Sequence, residues 1–236
     1  MDARWPQEAL KAQAIAARTY AIYRREQNRN DPIFDLGDTP DKWQIYKGIV
    51  SESPSTLDAV DKTAGQVLTY NNRIIESVFH ACSGGHTENV EDVWGRKEPY
   101  LRAVPDFDQN IPECSWQRTF TAAEIGQRFP EIGKAKQMAI ETVSSFGSVR
   151  SLRIVGEKGT KVLRGEDVRT ALKLRSTRFT VANAPGGNFL LQGRGFGHGV
   201  GLSQWGAYNL ALQRANHLQI LAYYFRGVAL SPIRAR

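Results

Sequence analysis

Sulfur is scarce in this chain: two cysteines and two methionines in 236 residues. Two thiols exclude a disulfide framework, although Cys82 and Cys114 suffice for one bridge. Long apolar runs are missing as well. None approaches the roughly 18 residues that would span a bilayer, so no transmembrane segment is expected. Blocks of like charge are absent, short pairs such as Arg24-Arg25 being typical. With no base-reading motif and no zinc-finger spacing, the net charge of +7 reads as a solvated basic surface, and nucleic acid is not an expected partner. No leader is expected within this chain, since Met1 runs straight into Asp2, Ala3 and Arg4. A chain that opens almost on a helix is expected to be a piece of something longer, so the missing leader says little about compartment. There is no internal repeat.

What remains is ordinary globular material, 41% hydrophobic and 23% charged, long enough to bury a sizeable core. Pro6 suits the first position of a helix, and EALKAQAIAARTYAIYRREQ carries Leu10, Ala14, Ala17 and Ala21 at helical spacing, with Ile15 and Ile22 widening the stripe. Residues 28–53 read as mostly irregular, with Trp43 and Tyr46 docking the loop. Ser53-Pro54 opens a short helix that Gly65 stops. Gln66–Tyr70 and Arg73–Cys82 read as a hairpin around Asn71-Asn72. Its second strand would show Ile74, Glu76, Val78, His80 and Cys82 on one face. Thr121 and Glu124 form a capping box. Strands are expected from Met138 onward, then a short helix from Gly165, a hairpin around Pro185-Gly186-Gly187, and helices from Leu202 and Leu218. The fold class is α+β: mixed small sheets and hairpins packed with an Ala-rich N-terminal helix and C-terminal helices. A single domain over 1–236 is expected, with a strand-rich subdomain at about 135–192.

Three stretches carry candidate chemistry. In GRGFGHGVGLSQWGAYNLA, Gly193, Gly195, Gly197, Gly199 and Gly201 alternate with larger side chains. That pattern marks backbone which something approaches closely. His198 sits in its middle as a donor to a sugar or anionic oxygen, with Ser203 and Gln204 along the same groove. The plainer alternatives are a glycine corner with a packing histidine, a Ser203 that caps the next helix and a surface Gln204. Trp205 and Tyr208 fit a sugar platform or a core equally. Glu8, in the opening turn of the first helix, is either a general acid or the acceptor of a capping box, and a helix N-terminus favours its ionised form. Third, His80, Cys82 and His86 have the donor types of a zinc site, completed by water, Glu88, Glu76 or Cys114. The alternatives are a buried cysteine and hydrogen-bonded histidines. Arg18 and Tyr20 interrupt the small-residue face of the first helix and are otherwise a snorkelling cation and an amphipathic ring.

EALKAQAIAARTYA, FHACSGGHTENVEDVWG with PYLRAVPD, RGEDVRTALKLRSTRFT and GRGFGHGVGLSQWGAYNLA together resemble, in this order, the blocks of the SpoIID/LytB family of stage II sporulation protein D and amidase enhancers. The resemblance runs from about residue 4 to 226. It implies an extracytoplasmic protein, in the periplasm or cell wall, acting on peptidoglycan glycan strands. Its activity would be that of a lytic transglycosylase on denuded strands, with Glu8 as the single acid/base. The alternative is a non-catalytic wall-binding module that activates a cell-wall amidase. Arg18, Tyr20, Ser83, His198, Ser203 and Gln204 would contact the glycan in a groove framed by the helix from Glu8, the His80–His86 block and the Gly193–Gln204 block, and His80, Cys82 and His86 would hold the zinc reported for some members. Family sequences usually carry Glu-Met-Pro just before the first block. Met1 aligns with that Met, so the preceding Glu is expected to lie upstream of this chain; if that residue is the catalytic acid, Glu8 is only a supporting carboxylate.

Overall fold

The alanine-rich segment folds as helix α1 (Gln7–Gln27), with Pro6 as its N-cap. Its sequestered seam is Ala9, Ala12, Ile15, Ala16 and Thr19, joined by Leu10. Ala14, Ala17 and Ala21 from the expected stripe lie only half-buried. The seam turns toward Thr19 because that hydroxyl is used twice. It donates to the Ile15 carbonyl at 2.7 Å and accepts the Leu68 N–H at 2.9 Å, which fixes the helix against the following sheet. Burying Ile15 and Leu68 there contributes roughly 1.5–3 kcal/mol each.

The computed structural model describes residues 1–31, 36, 37, 39, 44 and 48–233; the expectation for Trp43 and Tyr46 lies outside them. Helix α2 (Pro54–Asp61) opens with Ser53 and Thr56 as a capping box. Strands β1 (Gln66–Tyr70) and β2 (Arg73–Ile74) form the expected hairpin. Asn71 and Asn72 both take positive φ, at 50° and 59°, as a two-residue turn with right-handed strand twist requires. The second strand does not continue to Cys82. The Ser77 N–H reaches back to the Ile75 carbonyl, and the Val78 N–H to that of Glu76. These tight turns break the alternation, so residues 75–78 are all buried and no single face collects 74, 76, 78, 80 and 82. Strand β3 is only Phe79–His80.

Contacts divide the chain into two units. The first comprises 1–79, 99–102 and 201–236, and the second 80–98 and 103–200. In the second, α3 (Val90–Trp94) precedes β4 (Ser115–Phe120), and α4 (Ala122–Arg128) begins with the Thr121/Glu124 capping box. Then come β5 (Ala135–Val143), β6 (Val149–Gly156), β7 (Thr160–Arg164), α5 (Gly165–Ala171), β8 (Phe179–Ala184) and β9 (Asn188–Arg194). Two antiparallel sheets result, ordered β5-β6-β7 and β4-β9-β8. Ile125, Leu152, Ile154, Val168 and Leu191 are fully buried between α4, α5 and these strands. The expected strand-rich stretch lies inside this unit.

The first unit is completed by β10 (Leu202–Ser203), α6 (Gln204–Leu212), α7 (His217–Tyr224) and β11 (Ala229–Pro232), which gives the sheet order β11-β1-β2. The fold class is α+β, as expected.

Candidate functional site

The glycine-rich stretch leaves β9 into a loop, Gly195–Val200, held from two sides within the second unit. The Gly195 N–H donates to the Cys114 carbonyl at 2.6 Å and the Phe196 N–H to the Cys82 carbonyl at 2.7 Å. The Phe196 carbonyl accepts from the N–H groups of Ala81 and Cys82. Close approach explains the glycines. At Gly197, where φ is 121°, a Cβ would collide with the Cβ of His80. At Gly195, with φ of 93°, it would sit 3.0–3.1 Å from the Ser83 and Cys82 carbonyl oxygens.

What the loop presents is aromatic. Phe196 is 48% exposed with the Arg175 guanidinium 5.5 Å from its ring centre. His198 lies 4.9 Å from the ring of Trp94, itself 40% exposed, and 5.4 Å from the ring of His80. One residue sets both imidazoles: Val200 donates its N–H to His198 Nδ1, and its carbonyl pairs with His80 Nδ1, each at 3.1 Å. His198 Nδ1 is therefore an acceptor and its proton resides on Nε2, whereas His80 is protonated on Nδ1. His80 is buried, which pulls its pKa down to about 4 and keeps the ring neutral. Its Nε2 is sequestered without a hydrogen-bond partner.

The Ser83-Gly84-Gly85 turn is built around a carboxylate that sequence reading missed. Asp108 accepts the N–H groups of Ser83, Gly84 and Gly85 at 2.6, 2.9 and 2.7 Å. The Ser83 hydroxyl donates to Asp106 at 2.7 Å. Burial first, then the neighbouring Asp106, raises the Asp108 pKa, against the pull of the three N–H donors. Ser83 is thus committed inside the fold and is not a groove residue. Beyond the turn, Glu88 is buried with Arg178 at 3.2 Å and the Ser148 hydroxyl at 2.6 Å. The spacing of the two aspartates in Asp106-Phe107-Asp108, just after PYLRAVP, was the available signal.

The zinc expectation fails the test of donor chemistry. Cys82 is bonded to Cys114 as a disulfide, with Cα atoms 5.9 Å apart, so it has no thiolate to offer. His86 pairs through Nδ1 with the Thr87 carbonyl at 2.8 Å and stacks on Phe146 at 4.1 Å. Among the described residues, the group of three or more potential ligands whose atoms cluster within 4.8 Å is Cys82, Asp108 and Cys114, not His80, Cys82 and His86. Two of those three are the disulfide, and the third has both oxygens occupied by backbone N–H groups.

In the first unit Glu8 is held by two residues, Lys11 and His217. Its Oε1 accepts from Lys11 Nζ at 2.7 Å. Its Oε2 accepts from the His217 N–H at 2.7 Å and pairs with His217 Nδ1 at 2.6 Å. Burial, the largest single influence, pushes the carboxyl up, but the bonds from Lys11 and His217 together outweigh it and bring the pKa to about 2. As it stands, Glu8 is an ionised carboxylate tying α1 to the start of α7.

Arg18 spends its guanidinium on backbone: Nη1 on the Thr63 and Gln66 carbonyls, Nη2 on the Val60 carbonyl. It ties together carbonyls from the end of α2, the following turn and the start of β1 and is not turned to a ligand. Tyr20 packs edge-on to Phe79 at 6.3 Å, with Arg24 over its ring at 5.8 Å. Ser203 is fully buried and caps α6 by accepting the Gly206 N–H at 3.2 Å. Gln204 bonds Gln13 at 3.1 Å. Trp205 and Tyr208 join Trp5 in a half-buried cluster with ring centres 4.5–5.3 Å apart.

Comparison with known proteins places these blocks in a family. Residues 1–70 match the family model for stage II sporulation protein, SpoIID. Residues 114–201 match a model described as a domain of unknown function, DUF8618. The chain is 34% identical over 250 residues to stage II sporulation protein D of Bacillus subtilis, aligning over 100% of itself and 72% of that protein. It is 34% identical over 235 residues to an uncharacterized protein of Brachyspira hyodysenteriae, of which it spans 62%. To the amidase enhancer of Bacillus subtilis it is 26% identical over 285 residues, spanning 39% of that protein. The chain belongs to the SpoIID/LytB family, and its role is related to the cell wall.

Proposed function

We propose that this domain works outside the cytoplasm on peptidoglycan, binding glycan strands stripped of their stem peptides and cleaving them as a lytic transglycosylase. The observation that carries the reading is the exposed aromatic surface at the glycine loop: Trp94 of α3 with the His198 imidazole 4.9 Å from its ring, and Phe196 exposed on the loop itself. Flat apolar faces flanked by hydrogen-bonding groups suit the two sides of a pyranose ring. The net charge of +7 favours approach to an anionic wall.

In this reading Glu8 moves the proton. Against the upward push of burial, Lys11 and His217 hold its carboxyl down at about 2. A glycan strand laid on Glu8 extends that burial and draws Lys11 away from Oε1, so the acid form comes within reach. Glu8 then protonates the departing glycosidic oxygen. As the carboxylate it next takes the proton of the C6 hydroxyl on the sugar whose C1–O bond has broken, and that hydroxyl's oxygen closes on C1 as a 1,6-anhydro ring. One carboxyl suffices because no water enters, in contrast to the two carboxylates of glycoside hydrolysis.

One observation favours a second reading. The occupied oxygens of Glu8 suit a structural tie, and a domain that only binds glycan and activates an amidase would need no acid. The test is product analysis on denuded peptidoglycan with wild type and Glu8→Gln. Anhydro-terminated fragments from wild type alone support the lytic reading. Glycan retention without fragments from either protein, with faster turnover of an added amidase, replaces it by the second.

A further inference from the structure

The two cysteine residues do more than join residues 82 and 114. Their backbones are the two sides that hold the glycine loop: Cys114 takes the Gly195 N–H, while Cys82 takes the Phe196 N–H and returns its own N–H to the Phe196 carbonyl. The S–S bond therefore fixes the separation of the two rails between which Gly195 and Phe196 lie. Cys82 and Cys114 are 2% and 0% exposed, so once formed the bond is shielded from solvent thiols. No metal substitutes for it, because the nearest third donor, Asp108, already accepts three backbone N–H groups.

We infer that the Cys82–Cys114 disulfide is the positioning element of the glycan-binding loop, and that full glycan affinity depends on thiol oxidation and not on metal. Making the bond removes two protons and two electrons from the thiols. A disulfide-bearing exchange partner accepts them, and its own disulfide ends as a dithiol. The partner so defined is a thiol oxidase of the compartment in which the chain folds, consistent with an oxidising, extracytoplasmic setting. The glycan part of this inference rests on the function proposed above; the clamping of the loop does not.

The protein is unfolded with reductant, refolded with or without an oxidising disulfide, and compared with untreated wild type and with the Cys82→Ala/Cys114→Ala double variant. Amide hydrogen exchange and retention on denuded peptidoglycan are both measured. The reduced and double-variant proteins should exchange the Gly195 and Phe196 amides at least about tenfold faster. The Leu152 and Ile154 amides of β6 should keep their protection. Retention should weaken about tenfold and return on reoxidation, and chelator should change nothing in the oxidised protein. Unchanged loop exchange overturns the clamp. So does a parallel loss of protection in β6, since the bridge would then hold the unit as a whole. Loss of retention with chelator, or its recovery in reduced protein by added zinc, overturns the exclusion of metal. If oxidised wild type shows no retention while the loop exchange responds as stated, the clamp stands and the glycan reading falls.

Discussion

Glu8 and His217, 209 positions apart, meet through one carboxylate oxygen that lies 2.7 Å from the His217 N–H and 2.6 Å from its Nδ1. The carboxylate faces the positive end of α7 and satisfies one of its orphan N–H groups. A stability prediction follows from its pKa of about 2 against the ordinary 4.5. Because the folded value is depressed, the contribution is fully present above about 4.5 and is lost as pH falls through about 2. Allowing for solvent screening of a partly exposed group, it amounts to about 1–2 kcal/mol. Urea midpoints of wild type and Glu8→Gln should differ at neutral pH and converge toward pH 2. Parallel curves would show that the tie does not exist.

Asp108 behaves with the opposite sign. Its folded pKa is raised, by burial first and then by Asp106, so the folded state holds the extra proton and stability declines as pH rises through that value. The carboxylate nevertheless organises three N–H groups. Asp108→Asn retains the size but turns an N–H₂ toward donors, at a cost of about 1–3 kcal/mol. Thermal denaturation checks this, and a variant as stable as wild type would remove Asp108 from the turn's foundations.

Arg18→Met keeps the apolar stem and loses three carbonyl contacts. It should lower stability by about 1–3 kcal/mol while leaving retention on denuded peptidoglycan unchanged in the fraction that is folded. A selective loss of retention at unchanged stability would return Arg18 to the binding surface.

Trp94→Ala removes an exposed aromatic face from beside His198. Glycan affinity should fall about tenfold, equivalent to about 1.4 kcal/mol, with little change in the melting temperature. Isothermal titration with soluble denuded glycan fragments measures it, and undiminished affinity would take Trp94 out of the site.

Gly197→Ala should be the most damaging single change in the loop. Its φ of 121° lies where side chains are strained, and the new Cβ meets that of His80. A destabilisation of roughly 1–3 kcal/mol is expected, read from the urea midpoint. A stable variant would mean that the loop relocates without cost.

Much of the scaffold was legible because its signals are local. Ser53-Pro54, Thr121 with Glu124, and Asn71-Asn72 each fix a cap or turn within four residues, and each stands where it was expected. The site was less legible. Period-two alternation through 73–82 failed because residues 75–78 make tight turns that only their burial rewards. The zinc trio failed because residue types were right while the sulfur's partner, Cys114, stood 32 positions away. Ser83 and Arg18 were read as ligand contacts, yet both are consumed by backbone and carboxylate partners distant in sequence.

The sequence alone determined the α+β class, the family, the helix caps, the hairpin turn and the close approach of backbone to something at 193–201. Each depends on neighbouring residues or on collinear blocks. Tertiary structure alone decided that the something is largely the protein itself, the His80–Ser83 segment and Cys114, and which aromatic faces the loop leaves outward. It also decided that Glu8 is ionised and that Cys82 is oxidised. Those outcomes depend on which groups come within about 3 Å after the chain has folded, the range in which hydrogen bonds and the S–S bond form.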